Sequence, residues 1–172
     1  MKESDAIELI RAGVLKNSKA NWADLGSGSG TFTKALAHLL KPGSTILAVD
    51  KENYPIISPN DPVAIISQQA DFTTATLPHS LDGILMANSL HYVKDQLSFI
   101  QQLSRHLNPQ GRLLLIEYDT NRANAWVPYP ITFEKLKELL LQAGYTSVSK
   151  IGEMDSVYNQ NKIYACLASG LS

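Results

Sequence analysis

Cysteine is almost absent from this chain. One residue, Cys166, in 172 rules out an intramolecular disulfide and a cysteine-rich zinc site, since both need several thiols within reach. Clustered positive charge is missing too. The 15 Lys and Arg against 16 Asp and Glu leave a formal net charge of -1, and the basic residues are scattered, so the electrostatic footprint of a nucleic-acid binder is not there. No run approaches the ~18 apolar residues of a membrane span, and Met1-Lys2-Glu3-Ser4-Asp5 leads into no apolar stretch of the ~7–15 residues that a signal peptide carries. The expectation is a cytoplasmic protein without a nucleic-acid or membrane partner. Internal repeats, low-complexity tracts and linkers are lacking as well. With 44% hydrophobic and 18% charged residues, 1–172 reads as a single domain around one sizeable core.

What is present is an alternation of strand-like and helix-like segments. The spacing of Ile7, Leu9, Ile10 and Val14 predicts a short amphipathic helix over 5–15 behind an Asp5 cap, lying over the mouth or edge of a sheet. Residues 21–25 form an apolar strand-like run ended by glycines. A helix follows over 31–40, with Phe32, Ala35, Leu36, Leu39 and Leu40 on its apolar face and Pro42-Gly43 as its stop. Further strands are expected at 44–49, closing on Asp50, and at 63–66, 83–86 and 112–116, with a helix over 95–107 between the last two. A helix over 133–143 ends at Gly144. Two late strands, 146–151 and 163–167, are joined by a polar turn around Asn159-Gln160-Asn161 and suit an antiparallel hairpin. The central strands are near-continuously apolar, as in a parallel sheet covered on both faces.

The first strand runs into Asp24-Leu25-Gly26-Ser27-Gly28-Ser29-Gly30. A loop that wraps a ligand needs residues without Cβ where backbone approaches it or takes positive φ. The dinucleotide fingerprint G-x-G-x-x-G would require glycine at position 31, where the chain has Thr31, and this favours a cofactor without pyrophosphate. Asp50 closes the second strand about 20 residues on, where a carboxylate can accept both hydroxyls of a ribose. After the third strand, Asp71 in Gln69-Ala70-Asp71-Phe72 offers an acceptor for an adenine amino group beside the aromatic wall of Phe72. Asp24 has two readings, a cap on the following turn or a ligand contact, and Phe72 can equally be core.

Taken together, Asp24-x-Gly26-x-Gly28-x-Gly30, Val49-Asp50 and Ala70-Asp71-Phe72 resemble the class I S-adenosylmethionine-dependent methyltransferases over most of the chain. The resemblance implies an α/β, Rossmann-like three-layer sandwich. Its seven-stranded, mostly parallel sheet has the order 3-2-1-4-5-7-6, with strand seven antiparallel. It also implies that S-adenosylmethionine is the cofactor and S-adenosylhomocysteine the product. The methionine part would lie on Gly26, Ser27, Gly28 and Gly30, the ribose on Asp50 and the adenine amine on Asp71. The chain departs from the family between Asp50 and Asp71. There Tyr54-Pro55-Ile56-Ile57-Ser58-Pro59-Asn60-Asp61-Pro62 carries three prolines that forbid a regular helix, so the crossover is shortened. One face is then thinly covered, to be completed by the N-terminal helix or by a second subunit in a homodimer.

Methyl transfer from a sulfonium is an in-line displacement that alignment alone can accelerate, so no triad and no metal is required. Asn88-Ser89-Leu90-His91-Tyr92 follows the fourth strand, at the carboxyl end of a parallel sheet where ligands bind. The resemblance puts Asn88 on the cofactor side and His91 and Tyr92 on the acceptor side. His91 is the candidate general base, because an imidazole takes a proton near neutral pH, or else a hydrogen-bonded loop histidine. Glu117 and Asp119 after the fifth strand, with Trp126 and Tyr129 in a proline-stiffened loop, would wall a small, partly apolar or cationic acceptor, or simply cover the sheet edge. Asn88-Ser89-Leu90-His91 differs from the Asn/Asp-Pro-Pro-Tyr/Phe segment of DNA amino-methyltransferases. The function expected is methyl transfer to a small-molecule acceptor. The alternatives are a non-catalytic cofactor-binding module serving a partner protein and an NAD(P)-dependent oxidoreductase, the latter disfavoured by Thr31.

Overall fold

A computed structural model describes residues 1–15, 17–56, 62–156 and 161–171. Its helices are α1 (Glu3–Ile10, prolonged by a 3-10 turn at Arg11–Gly13), α2 (Thr31–Leu39), α3 (Gln96–Ser104) and α4 (Phe133–Gln142). The strands are β1 (Asn21–Leu25), β2 (Thr45–Asp50), β3 (Ala64–Gln69), β4 (Leu81–Ala87), β5 (Leu107–Tyr118), β6 (Tyr145–Asp155) and β7 (Lys162–Leu171). They form one seven-stranded sheet, order β3-β2-β1-β4-β5-β7-β6. Strands β1 to β5 are parallel, and β7 runs antiparallel to both β5 and β6. Order and direction are those the resemblance implied.

The two-residue period of a strand sends alternate side chains to opposite faces. Ala23, Leu25, Leu113 and Leu115 point to one face and pack with Phe99 and Ile100 of α3 and Leu136 and Leu140 of α4. Trp22, Leu114 and Ile116 point to the other and pack with Leu9 and Ile10 of α1 and Leu36 of α2. Both faces of β1, β4 and β5 are therefore dry, which is why these strands read as unbroken apolar runs. Helix starts are set by side-chain acceptors: Asp95 takes the Ser98 N–H before α3, and Thr132 takes the Lys135 N–H before α4.

Helix α1 starts two residues before its expected cap. Lys2 is the capping position, and Asp5, already inside the first turn, accepts the Lys2 backbone N–H at 3.2 Å. The helix crosses the β6 side of its face so closely that a Cβ at Gly152 would lie 2.7 Å from the Leu9 carbonyl oxygen. Between β2 and β3 the described residues hold no helix, as the prolines required, and residues 70–80 between β3 and β4 hold none either. As a result β3 is poorly covered, with Ile66 55% exposed. Of the predicted crossover and hairpin turn, residues 57–61, 159 and 160 lie outside the described residues. The hairpin itself is antiparallel, with Asp155 opposite Lys162. No helix among the described residues is long and apolar enough to cross a membrane.

Candidate functional site

The glycine loop is fastened before any ligand is considered. Backbone N–H groups of Gly26 and Ser27 donate to the Val49 carbonyl at 2.8 and 3.1 Å, and the Gly28 N–H donates to Asp50 Oδ2 at 2.8 Å. The glycines serve different ends. A Cβ at Gly26 would sit 2.5 Å from Ser89 Cβ, and one at Gly30 would sit 2.8 Å from Ile56, so packing accounts for both. At Gly28, with φ +51, a Cβ would meet nothing within 4 Å. Its bare side faces open space, and with Asp24, Gly26, Ser27 and Asn88 it lines a cavity of about 230 Å³ whose wall Met1 completes.

Two orphaned oxygens mark this cavity. The alternation of β1 turns Asp24 toward α2, where Oδ2 accepts the Thr33 hydroxyl at 2.6 Å while Oδ1, fully buried, has no partner. Burial pushes the Asp24 carboxyl up to about 7; the Thr33 hydroxyl pulls it down, and the nearby Asp50 charge raises it further. Asn88 follows β4 directly at φ 53, a left-handed conformation that asparagine tolerates better than most residues. Its N–H is held by the Ile116 carbonyl at 2.8 Å, and its Oδ1 is buried and unpartnered. A buried polar group without a partner costs on the order of 1–3 kcal/mol, so two in one pocket point to a ligand with donors.

A second cavity of about 580 Å³ spans the ends of β2 and β3 and is lined by Asp50, Lys51, Asp71, Phe72, Asn88 and Tyr92, among others. Asp50 braces two loops, Oδ2 on Gly28 N–H and Oδ1 on Glu52 N–H at 3.0 Å. Asp71 Oδ1 accepts the hydroxyl and the N–H of Thr73 at 2.6 and 2.9 Å, Lys51 lies 3.0 Å from Oδ2, and these contacts hold the carboxyl below its ordinary range. Phe72 lines the cavity while packing against Phe99 at 6.0 Å between ring centroids.

Beyond Asn88 lies a third cavity, a cleft of about 590 Å³ lined by Asn88, His91, Tyr92, Tyr118, Asn124, Trp126 and Val127. His91 sits in a 3-10 turn, Leu90–Tyr92, and is 2% exposed. Its Nδ1 is 2.7 Å from Glu117 Oε2, and its backbone N–H donates to Glu117 Oε1 at 3.2 Å, so the carboxylate grips residue and ring together. No hydrogen bond engages Nε2 among the described residues. With Glu117 ionised, Nδ1 carries the proton and Nε2 the lone pair.

Of the side chains predicted to wall an acceptor, Tyr92 and Trp126 line this cleft. Glu117 does not: it is 1% exposed and committed to His91. Asp119 is also elsewhere, accepting the Phe133 N–H at the start of α4. Tyr129 stands outside the lining, but its backbone N–H donates to the His91 carbonyl at 2.9 Å and pins the loop to the His91 turn. Tyr118, Asn124 and Val127 line the cleft as well, although the sequence pattern singles out none of them individually. Ser89 locks the β4 end to β1 by donating its hydroxyl to the Leu25 carbonyl at 2.7 Å.

Residues 23–115, over half of the chain, match the model of a family described as a methyltransferase domain. The chain belongs to this family. It is a class I S-adenosylmethionine-dependent methyltransferase, and solved structures share its fold. One is the Burkholderia thailandensis 1,6-didemethyltoxoflavin-N1-methyltransferase with bound 1,6-didemethyltoxoflavin and S-adenosylhomocysteine. It is 20% identical, with a TM-score of 0.76 over 99% of this chain and 78% of that one. A S-adenosylmethionine-dependent methyltransferase from Aquifex aeolicus is 18% identical, with a TM-score of 0.71 over 95% and 88% of the two chains. DhpI, in complex with S-adenosylhomocysteine, is 20% identical with a TM-score of 0.70 over 97% and 83%. No curated protein matches the sequence significantly.

Proposed function

We propose that this methyltransferase acts on a small-molecule acceptor held in the cleft of about 590 Å³, with His91 as the base that takes the acceptor's proton. The observation that carries the proposal is that all three cavities share Asn88, so the glycine loop, the Asp50–Asp71 pocket and the His91 cleft meet at one residue. Asp24, Gly26, Ser27, Gly28, Asp50, Asp71, Phe72 and Asn88 would hold the cofactor, with Gly30, packed against Ile56, shaping the loop from outside the cavity. An amino-acid ammonium supplies the donors and the charge that Asp24 Oδ1 and Asn88 Oδ1 lack. When bound, S-adenosylmethionine would supply an electrophilic methyl group on a cationic sulfur that can keep the carbon–sulfur electron pair as leaving group. The chain's own part is to align the two molecules, keep water out and receive a proton at Nε2. The small molecule in the Burkholderia structure supports this choice of acceptor class.

Two variants test the cofactor half by calorimetry with S-adenosylhomocysteine. Gly28→Ala puts a methyl into the open side of the loop and should cut affinity at least tenfold. The fold should lose only the ~1–2 kcal/mol of a left-handed alanine. Asp50→Ala frees the Gly28 N–H as well as removing a polar wall and should weaken binding by a similar factor. Unchanged affinity in both removes the cofactor assignment. For the acceptor half, label from methyl-labelled S-adenosylmethionine should enter a low-molecular-weight metabolite fraction and not total tRNA or unfolded protein. Label confined to a macromolecule overturns the proposal, and tight cofactor binding without any transfer would instead describe a non-catalytic module.

A further inference from the structure

We infer that the acceptor is an uncharged, flat aromatic or heteroaromatic molecule presenting an O–H or N–H to His91 Nε2; this rests on the reading of the cleft as the acceptor site. The lining is rich in aromatic rings. Trp126, 74% exposed, and Tyr92, 54% exposed, line the cleft together with Tyr118. Large aromatic side chains left so open are the anchors by which a protein binds another ring, through offset or edge-to-face contact.

Charge decides against ionic acceptors. Among the described residues, no Lys, Arg, Asp or Glu lines the cleft. Glu117, beside His91, has both oxygens engaged by it, and Asp119 is occupied with the Phe133 N–H and with Lys150 at 3.8 Å. A charged ligand would give up water there and find no counter-charge among the described side chains that line the cleft. Size decides against a small ammonium group held by the rings alone, since about 590 Å³ matches the pockets of drug-sized molecules and a methylammonium would leave it mostly water.

The wall is built into the fold. Asn124 Oδ1 accepts the N–H groups of Trp126 and Val127 at 2.8 and 2.9 Å, Val127 is buried, and the Tyr129 N–H on the His91 carbonyl closes the loop onto the turn that carries the base. The backbone of the loop that carries Trp126 is thus tied to the turn that carries His91, and both side chains line the same cleft. The proton moves from the ligand's oxygen or nitrogen to Nε2, and the imidazolium charge so formed is matched by Glu117.

The experiment measures binding to protein saturated with S-adenosylhomocysteine, using 2-naphthol, naphthalene-2-sulfonate, tetramethylammonium and cyclohexanol as probes. We expect 2-naphthol to bind at least tenfold more tightly than the other three. Trp126→Ala should weaken it about five- to tenfold, Trp126→Phe should restore most of the loss, and affinity for S-adenosylhomocysteine should stay within twofold. The inference is overturned if the sulfonate or the ammonium binds as well as 2-naphthol, if cyclohexanol does, if 2-naphthol does not bind, or if Trp126→Ala has no effect. Each of these leaves the methyl-transfer reading standing. Failure of the wild-type protein to bind S-adenosylhomocysteine strikes the underlying reading instead.

Discussion

His91→Gln should lower kcat by about 100- to 10,000-fold, the range over which a positioned general base contributes, with little change in affinity for S-adenosylhomocysteine. Glutamine is chosen because alanine would strand Glu117 as a buried, unpaired charge, at a cost of roughly 3–5 kcal/mol, and loss of fold would hide loss of chemistry. An amide in place of the ring can still give Glu117 a donor. Glu117→Gln is the companion variant. It keeps the shape that receives the His91 backbone N–H but removes the negative charge that fixes the Nδ1–H tautomer and balances an imidazolium. It should depress kcat by one to two orders of magnitude with KM for the cofactor unchanged. If the two residues act as one device, the double variant is no slower than His91→Gln alone, because effects within a unit are not additive. Additive losses would mean that Glu117 supports the fold and not the base. Unimpaired turnover in His91→Gln would end the base assignment.

Asp24→Asn should do two opposite things: stabilise the ligand-free protein above neutral pH and weaken cofactor binding at least tenfold. The stability effect follows from linkage. The carboxyl has a folded-state value of about 7 against an ordinary 3.8, so between those pH values the native state holds a proton that the unfolded chain has released. Stability contributed by this group is fully present below about pH 3.8, falls as pH rises toward 7 and is gone above it. A shift of this size corresponds to roughly 2–4 kcal/mol at pH 8, which for a chain of this length is about 5–10 °C in Tm. Asparagine does not ionise and escapes the loss. Thermal melts of both proteins should therefore diverge at pH 8 and converge near pH 4. Equal melting at pH 8 would show that Asp24 is better solvated than its burial implies. Undiminished S-adenosylhomocysteine affinity would show that Oδ1 does not serve the cofactor.

The legible parts of this molecule are the ones that local chemistry dictates. The glycine loop between an apolar strand and an amphipathic helix, the acid that closes β2 and the acid after β3 can be placed from order and spacing, and through the resemblance they carried the sheet order with them. The ends of β5 and β6 could not. Strand β6 runs to Asp155, well beyond 151, because it is an edge strand wet along most of its length, so neither an apolar run nor a clean alternation marks it. Glu117 was misplaced for a different reason. Strand β5 is apolar on both faces, so its pattern does not tell which side of the sheet residue 117 takes, and its partner His91 lies 26 residues earlier. Only packing brings the two together. Asp5 is a simpler case: a residue of capping type stands three positions after the real cap, Lys2, where its carboxylate serves the same backbone end.

The poorly covered β3 gives the sheet an uneven resistance to opening. It is bound along one side only, to β2, with side chains wet on both faces and no helix in the connection to β4. Local unfolding should begin there, and amide hydrogens of residues 64–69 should exchange with solvent far faster than those of β1 and β4. Asp71 hangs from the end of that strand, and Lys51, from the end of β2, reaches across to it. A ligand lying over both ends would clamp the seam, so protection in residues 64–71 should rise more on adding S-adenosylhomocysteine than anywhere in the central sheet. Affinity at that end of the pocket would then include the work of closing an edge that the free protein leaves partly unlatched.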